Sequence, residues 1–355
     1  MFSKKSFPGL TYLPPKVREA LVGCANNAIS TDTWANYNVI MKHMENCQVE
    51  FGMRFNFPMT IDMILALVGY LREIKKLKAA TIENHLCALR YVHLSKGIFL
   101  TCLRPEMVKT LLKGMSHDDL KLKRASVDRL PVTLQVMFLL EMEVEDAANW
   151  SKEYKLLVWA VATLAFFGSF RCGELLSKKA NSIDPEIDLQ LKDIRIVKRF
   201  VNKTKIELLE VNLKSPKEAK ENVKNIRVEV FGNGTTLCPL KAFKNYVAGV
   251  GVKDGNSAAF RLPVVGLAYR HQRFNKDLQS LLSKHLRYGK LSGHSFRSGL
   301  SSLLGQAGFS DSEVMALGRW SSDSFLKYIK TGRLIRSRNS DRVMNFVKSR
   351  IEVLN

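Results

Sequence analysis

Alternating apolar and polar residues between about positions 189 and 230 separate two long stretches in which apolar residues recur every three or four positions. Period-two alternation indicates half-buried strands, and the longer period indicates amphipathic helices. Turn-forming clusters break or bound the alternating block, at Asn202-Lys203, Ser215-Pro216 and Gly232-Asn233-Gly234. Strands joined by short turns pair antiparallel. The sequence therefore predicts a mainly α-helical fold that contains one small antiparallel β-sheet.

Four short helices are predicted in residues 30–115. Thr60 is the expected N-cap of the second helix, and Thr81 is expected to open the third. The fourth is expected to begin at Pro105 and to end near Gly114. Helices of this length and number make a small bundle, so we expect one helical domain here.

Changes of composition predict the other boundaries. Residues 116–132 are polar and charge-rich, which indicates a basic linker. Residues 133–335 combine an apolar helix, the alternating block and renewed helical periodicity, as expected of one α+β domain. Residues 1–29 form an N-terminal arm, and residues 336–355 are predicted to contain an amphipathic helix. This last helix either packs on its own domain or docks on a neighbouring copy of the chain.

The charge balance indicates a polyanionic partner. The chain carries 55 Lys and Arg residues against 33 Asp and Glu residues, a formal net charge of +22. Nucleic acid is the first partner to expect from such an excess. Charge alone leaves open a soluble basic protein without such a partner, because net charge determines neither fold nor specificity. With 355 residues, the chain is long enough for two domains with cores of their own.

Metal sites, disulfides and membrane spans have no signature in the sequence. The six cysteines are scattered without a C-x-x-C pair or a Cys/His cluster. We therefore expect no metal site, no disulfide framework and a reducing compartment. The most apolar run, residues 156–170, is shorter than the roughly 20 residues that a membrane span needs. The start of the chain lacks the apolar segment of a signal peptide, so an intracellular protein with no membrane partner is expected.

Candidate functional residues lie at two distant places in the chain. Arg171 ends the apolar run, and Glu174 follows one helical turn later, where its carboxylate can hold the guanidinium. His294 and Arg297 lie near the start of a predicted helix, beside free backbone N–H groups that attract an anion. Two guanidinium groups and an imidazole that converge would neutralise the oxygens of a phosphodiester.

The remaining candidates supply a nucleophile, a hydrogen-bond donor and a proton. Tyr328 carries a phenol that a cationic pocket would activate for attack on phosphorus. Trp320 either donates its indole N–H to a phosphate oxygen or simply packs. Lys214 and Lys217 flank a predicted hairpin turn, from which an ammonium group can protonate a leaving oxygen. Each residue type also has common structural roles, so only the combination indicates this chemistry.

In order and spacing, these residues resemble the tyrosine recombinase (integrase) family. The resemblance rests on Arg171 in FRCGELL, a hairpin lysine, His294-x-x-Arg297, Trp320 in LGRWSSDSF and Tyr328 in LKYI. The string GRWSSDSFLKYI is similar in particular to recombinases of crypton-like eukaryotic mobile elements. Two features depart from the family pattern. The hairpin holds two lysines, and Tyr328 follows Trp320 by eight residues, one fewer than in the commoner bacterial pattern.

The resemblance implies a clamp around duplex DNA, made of a core-binding domain at residues 30–115 and a catalytic domain at 133–335. Tyr328 would attack the scissile phosphate, giving a 3′-phosphotyrosyl link and a free 5′-hydroxyl without ATP, metal or another cofactor. The other roles are implied by matching positions. Arg171 and Arg297 would hold the phosphate, His294 would aid proton transfer, Trp320 would replace a histidine common in the family, Glu174 would support the arrangement, and Lys217, favoured over Lys214, would be the general acid.

The resemblance also implies a homo-oligomer, a tetramer on two duplexes linked through the C-terminal helices, and a nuclear location if the source is a eukaryotic element. Two other functions remain open. One is a DNA-binding protein that descends from a recombinase and no longer cuts. The other is a type IB topoisomerase-like enzyme that relaxes supercoils alone. The recombinase hypothesis is favoured because every catalytic position holds a chemically competent residue.

Overall fold

The computed structural model describes residues 10–28, 31–98, 106–122, 130–201, 203–214, 225–251, 254–285, 291–320 and 347–350. The chain divides into two compact units, Met1–Ser126 and Val127–Asn355. Each unit contains its own cluster of buried apolar side chains. Each therefore has the apolar core expected of a separate domain.

Helices make up the first unit, namely the four that the apolar periodicity predicts and, before them, one helix within the predicted N-terminal arm that was not predicted. They are α1 (Pro15–Asn27), α2 (Thr31–Phe51), α3 (Ile61–Gly69) with one π-helical turn at Tyr70–Ile74, α4 (Ala79–Ser95) and α5 (Glu106–Lys121). The predicted N-cap of α3 is confirmed, because the Thr60 hydroxyl accepts a hydrogen bond from the Met63 N–H at 3.4 Å. α4 begins two residues before Thr81, where the Asp119 carboxylate accepts the Ala79 N–H at 2.8 Å.

The fourth predicted helix is longer than the sequence indicates. α5 runs to Lys121, so the predicted end near Gly114 is wrong, and residues 116–121 of the predicted linker are helical. The buried Asp119 explains the extension, because its Oδ1 lies 2.6 Å from Nη1 of Arg72. A buried, hydrogen-bonded ion pair holds the last turns of α5 against their polar composition.

Helices flank one small sheet in the second unit. The elements are α6 (Leu134–Asp146), α7 (Lys152–Phe167), α8 (Cys172–Leu175), β1 (Ile194–Val201), β2 (Thr204–Lys214), β3 (Asn225–Phe231), α9 (Pro239–Val250), α10 (His271–Leu282), α11 (Gly293–Gln306) and α12 (Asp311–Gly318). The spacing Ser310-x-x-Glu313 predicts a capping box at the start of α12. It is confirmed, because the Glu313 carboxylate accepts the Ser310 N–H at 2.8 Å and the Ser310 hydroxyl accepts the Glu313 N–H at 3.4 Å. α7 is a buried helix that packs against α9 and α11, as its apolar run predicts.

The three strands form an antiparallel sheet in the order β1-β2-β3, so the predicted fold class is confirmed. One detail of the strand prediction is wrong, since Leu189 and Leu191 precede the sheet instead of forming a strand. The Asp193 carboxylate accepts the Gln190 N–H at 2.8 Å and closes a 3-10 turn there. A side-chain acceptor at this place competes with strand pairing.

β2 is the central strand, and its side chains alternate in burial from Leu209 to Leu213, while Leu208 is buried on the other face. Leu209, Val211 and Leu213 are buried on one face, as the period of two predicts. The strand ends at Lys214, which pairs with Asn225 of β3. The sheet thus brings Lys214, one of the two predicted hairpin lysines, to the end of a well-packed strand.

Two glycines allow α11 to lie close to its neighbours. A Cβ at Gly293 would collide with Cys172 of α8, and a Cβ at Gly299 would collide with the carbonyl group of Val132. The Val132 N–H in turn donates to the Ser295 carbonyl at 2.9 Å. These contacts seat the first turns of α11 directly beside α8.

Among the described residues, no helix combines the length and the apolar character needed to cross a membrane. The same residues contain no group of three or more His, Cys, Asp or Glu side chains placed to hold a metal ion. None of the cysteines in this part of the chain is in a disulfide, namely Cys24, Cys47, Cys87, Cys172 and Cys238.

Candidate active site

The turn after α7 positions Arg171 and Glu174. α7 ends at Phe167, Ser169 adopts a left-handed φ of 50°, and the chain enters the short helix α8 with Arg171 as N-cap. Oε2 of Glu174 accepts the Arg171 backbone N–H at 2.9 Å, and Oε1 accepts from Nη1 of Arg171 at 3.0 Å. The ion pair predicted from the spacing is therefore present. The ion pair holds the guanidinium of Arg171, whose side chain is 29% exposed.

Arg297, on α11, reaches the same carboxylate from the core. Its side chain is fully buried, and its Nη1 lies 3.7 Å from Oε1 of Glu174. Its Nη2 donates to the backbone carbonyl of Arg319 at 2.8 Å. A buried charge is stable only where partners replace its hydration. Arg171 and Arg297, predicted to converge, thus both face one oxygen of Glu174.

His294 and Trp320 lie beside Arg297. The rings of His294 and Trp320 meet edge to face, with centroids 6.2 Å apart. The guanidinium carbon of Arg297 lies 4.5 Å from the centre of the Trp320 ring, a cation–π contact. Nε1 of Trp320 donates to Oγ of Ser301 at 3.3 Å. Of the two interpretations of Trp320, the described contacts support packing against Arg297.

The start of α11 does not leave its backbone N–H groups free. The Gly293 N–H donates to Oδ1 of Asn275 at 2.8 Å, and the Ser295 N–H donates to the Ser292 carbonyl at 2.8 Å. The expectation of free N–H groups beside His294 is therefore wrong at these two positions. These two N–H groups therefore do not supply the anion site that the sequence predicts.

Arg319 adds a third guanidinium that sequence reasoning did not select. Its Nη2 lies 2.9 Å from Oε2 of Glu174. Its Nη1 donates to the Gly168 carbonyl at 2.9 Å, and its Nη2 donates to the Ser169 carbonyl at 3.0 Å. The guanidinium also stacks on Phe170 at 4.9 Å. Burial lowers the pKa of Arg319, and the facing Glu174 carboxylate opposes that shift.

The cluster carries excess positive charge. Three guanidinium groups surround one carboxylate, so the four side chains sum to +2. Arg171 is the most exposed of the three arginines, and Arg297 and Arg319 lie deeper. An anion that enters from solvent therefore meets Arg171 first. Fixed cations of this kind stabilise a phosphoryl group whose charge grows in the transition state.

Solved structures with the same architecture identify the fold. The XerH site-specific recombinase bound to a palindromic difH substrate has a TM-score of 0.55 at 13% identity, over 96% of this chain and 85% of that chain. The Tn1549 transposon integrase in complex with circular intermediate DNA has a TM-score of 0.53 at 14% identity, over 92% and 94%. A lambda integrase dimer bound to a COC′ core site has a TM-score of 0.52 at 14% identity, over 88% and 93%. This chain has the tyrosine recombinase fold.

At these identities the likeness establishes the tyrosine recombinase fold alone. No protein-family model and no curated protein matches the sequence. The roles of the site residues therefore rest on their own geometry.

Lys214 ends the central strand of the tyrosine recombinase fold and is held there. Its Nζ lies 2.7 Å from Oδ2 of Asp193 and donates to Oε1 of Gln190 at 2.8 Å, and its side chain is 14% exposed. Lys217 belongs to the segment between β2 and β3, residues 215–224, outside the described residues. The assignment of a general acid to either lysine stays a prediction.

The sequence also predicts a short helix that starts near Ser322, carries Tyr328 and stops at Thr331-Gly332. This helix and Tyr328 lie outside the described residues. The last described position before them is Trp320, eight residues earlier. Five of the predicted site residues are brought together, namely Arg171, Glu174, His294, Arg297 and Trp320. Their catalytic roles, like that of Tyr328, stay predictions.

Proposed function

We propose that this protein is a site-specific DNA recombinase that cuts and rejoins duplex DNA through a covalent 3′-phosphotyrosyl intermediate. One observation carries the proposal: Glu174 lies between Arg171 and Arg297, which are 126 positions apart in the chain. One arginine is enough for a structural ion pair, whereas the Glu174 carboxylate is paired with three, the third being Arg319. The uncompensated charge supports a site for an anion of the substrate.

The scissile phosphodiester is the anion that fits this chemistry. Arg171 and Arg297 would bind its nonbridging oxygens, on which negative charge must be stabilised in the transition state. The planar guanidinium matches two oxygens at once, which also fixes the orientation of the phosphate. Trp320 packs on Arg297 and restricts its movement. Catalysis of phosphoryl transfer depends chiefly on such positioning and electrostatics.

The proposed reaction balances with side chains of this chain alone. The Tyr328 oxygen attacks phosphorus and forms the Tyr–O–P bond, and its proton leaves with the aid of His294. The P–O5′ bond breaks, and the leaving 5′-oxygen takes a proton from Lys217. A 5′-hydroxyl of another strand then attacks the phosphotyrosyl link and reverses the step. Because the link retains the energy of the phosphodiester, the cycle needs neither ATP nor a metal ion.

Duplex DNA is the proposed substrate. A net charge of +22 supports it, and XerH, the Tn1549 integrase and lambda integrase are described in complexes with DNA. We also propose a tetramer on two duplexes, linked through residues 336–355. Val347 in this tail is buried in the apolar core of its own second unit, which supports packing of the tail on its own domain, and exchange of the tail between copies stays a proposal. A crypton-like source and a nuclear location are proposed from the GRWSSDSFLKYI string.

A nicked suicide duplex made from the DNA that flanks the coding region tests the proposed chemistry. Cleavage beside the nick releases a short fragment, so the covalent complex accumulates and survives denaturation. We expect an adduct with the wild-type protein and none with Tyr328→Phe, at equal DNA affinity. Tyr12→Phe, at a tyrosine that is 79% exposed, is the matched control and should cleave normally.

The same assay separates the other functions. Specific binding without an adduct indicates a DNA-binding protein that no longer cuts. Relaxation of supercoiled plasmid without sequence preference indicates a topoisomerase-like enzyme. An adduct that persists in Tyr328→Phe would show that another nucleophile acts.

A further inference from the structure

We infer that Arg319 is a positioning residue of this site, which holds Glu174 so that the carboxylate orients Arg171 and Arg297 without neutralising both. The inference rests on the proposed function, because it assigns the two oriented arginines to the phosphate. Arg319 itself is not placed on the substrate. It acts through the groups that it binds.

Arg319 combines a strained backbone conformation with a side chain that is held by hydrogen bonds. The residue ends α12 with φ 53° and ψ 48°, a left-handed conformation that usually selects glycine. Hydrogen bonds to the carbonyls of Gly168 and Ser169 fix its guanidinium to the turn that leads to Arg171. An unfavourable local conformation is therefore maintained by tertiary contacts with the turn that presents Arg171.

Arg319 divides the two oxygens of Glu174 between different partners. Oε2 faces Nη2 of Arg319 at 2.9 Å and the Arg171 backbone N–H at 2.9 Å. Oε1 faces the guanidinium groups of Arg171 at 3.0 Å and Arg297 at 3.7 Å. Without Arg319, the carboxylate is free to turn, and it no longer fixes the orientation of the Arg171 and Arg297 guanidinium groups. The two arginines then lose the orientation that binding of the phosphate needs.

Arg319 also contacts Arg297 directly, through its backbone carbonyl. Its backbone carbonyl accepts Nη2 of Arg297 at 2.8 Å, and the next residue, Trp320, stacks on the same guanidinium at 4.5 Å. One residue therefore links Glu174, Arg297 and Trp320. A purely structural role would only join the end of α12 to the turn after α7. The two roles predict different results.

Arg319→Met tests the inference, because methionine keeps an apolar stem against Phe170 but removes every hydrogen bond of the side chain. We expect the single-turnover cleavage rate on the suicide duplex to fall roughly 10- to 100-fold, as when a residue that orients a reactive group is lost. DNA affinity should change by less than about twofold, because many phosphate contacts share it. Arg319→Lys should recover part of the rate, since an ammonium reaches Glu174 but not both carbonyls as well.

Arg261→Met is the matched control. Arg261 also binds a backbone carbonyl, that of Gly266 at 2.7 Å, and lies in the same unit. It should cleave at the wild-type rate. A double-mutant cycle with Glu174→Gln completes the test, because residues that act as one unit are not additive. Independent, multiplicative rate losses for Arg319→Met and Glu174→Gln would overturn the inference.

Arginine NMR separates this inference from the proposed function. In protein labelled with ¹⁵N-arginine, a held guanidinium rotates slowly and gives separate Nη signals. Loss of the buried Arg319–Glu174 pair should lower stability, so the spectra are recorded at a temperature at which the variant is still fully folded. There Arg319→Met should merge the Nη signals of Arg171, whereas Arg261→Met should leave them separate. Unchanged Arg171 signals would overturn the inference even if cleavage falls. If wild type forms no Tyr328-dependent adduct but the signals merge, the positioning role stands and the recombinase proposal fails.

Discussion

Arg297 and Glu174, 123 positions apart in the chain, meet at 3.7 Å in the second unit. Their meeting requires α11 to lie against α8, and the absence of a Cβ at Gly293 gives Cys172 the space to make that contact. The charge of the site thus depends on helix packing as much as on the charged residues themselves.

The two arginines proposed to bind the phosphate should differ in their effect on stability. Arg171→Ala and Arg297→Ala should each lower cleavage by about 10²- to 10³-fold. Arg297→Ala should also reduce the free energy of unfolding by about 3 kcal/mol, because it breaks a buried ion pair. Arg171→Ala, at a partly exposed side chain, should change stability by less than about 1 kcal/mol. Cleavage rates, denaturant unfolding and DNA affinity measure the three quantities, and binding that falls in proportion to cleavage would argue against the site.

The general acid can be identified with a leaving group that needs no proton. A 5′-bridging phosphorothiolate leaves as a thiolate, whose conjugate acid has a pKa near 8.5. We expect Lys217→Ala to cleave ordinary DNA slowly and the sulfur substrate at nearly the wild-type rate. Lys214→Ala should show no such rescue, because Asp193 and Gln190 already hold its ammonium. Rescue of Lys214→Ala alone would transfer the role to Lys214.

Gly299 should be intolerant of a side chain. Gly299→Ala should destabilise the second unit by about 3 kcal/mol, at the upper end of the cost of overpacking, because its Cβ would collide with backbone atoms of Val132. Gly173→Ala is the matched control, since a Cβ there meets nothing within 4 Å. The control should be neutral or stabilising by up to about 1 kcal/mol. Equal unfolding free energies for the two variants would contradict the close approach of α11 to Val132.

The first unit should lose stability in mild acid through His93. Burial lowers the pKa of His93 below its ordinary value of 6.5, and its ring is held neutral between the Leu89 carbonyl at 2.8 Å and the Met59 N–H at 3.2 Å. The unfolded chain therefore binds this proton at a higher pH than the folded unit. The contribution of His93 to the free energy of unfolding is therefore fully present above about pH 6.5. It is lost as the pH falls from there toward the lowered pKa of His93 in the folded unit.

His93→Gln should weaken this pH dependence, because the amide can accept the Met59 N–H without titrating. Denaturant unfolding at pH values from 8 to about 5 measures the effect. His43 and His85, whose pKa values burial also lowers, leave part of the dependence in place. An unchanged slope of stability against pH in His93→Gln would refute the assignment.

Patterns within a few turns of chain were predictable from the residues. The helical and strand periods predict the fold class, the hydroxyls of Thr60 and Ser310 predict helix starts, and spacing predicts the Arg171–Glu174 pair. Each of these depends on neighbours separated by four residues or fewer. The convergence of Arg171 with Arg297 was inferred from chemistry and family resemblance, not from spacing.

Tertiary contacts decided the rest. α5 extends past Gly114 because the buried Asp119 pairs with Arg72. Local periodicity does not predict that a carboxylate in a helix will be buried. Nothing in the sequence distinguishes Arg319 from other charged residues that follow a helix. Only the folded chain shows its bond to Glu174, 145 positions earlier. The sequence by itself determined which helices and strands form and which side chains are chemically competent. The packing of α8, α11 and the end of α12 decided which charges share one carboxylate, because such contacts depend on the mutual placement of whole elements.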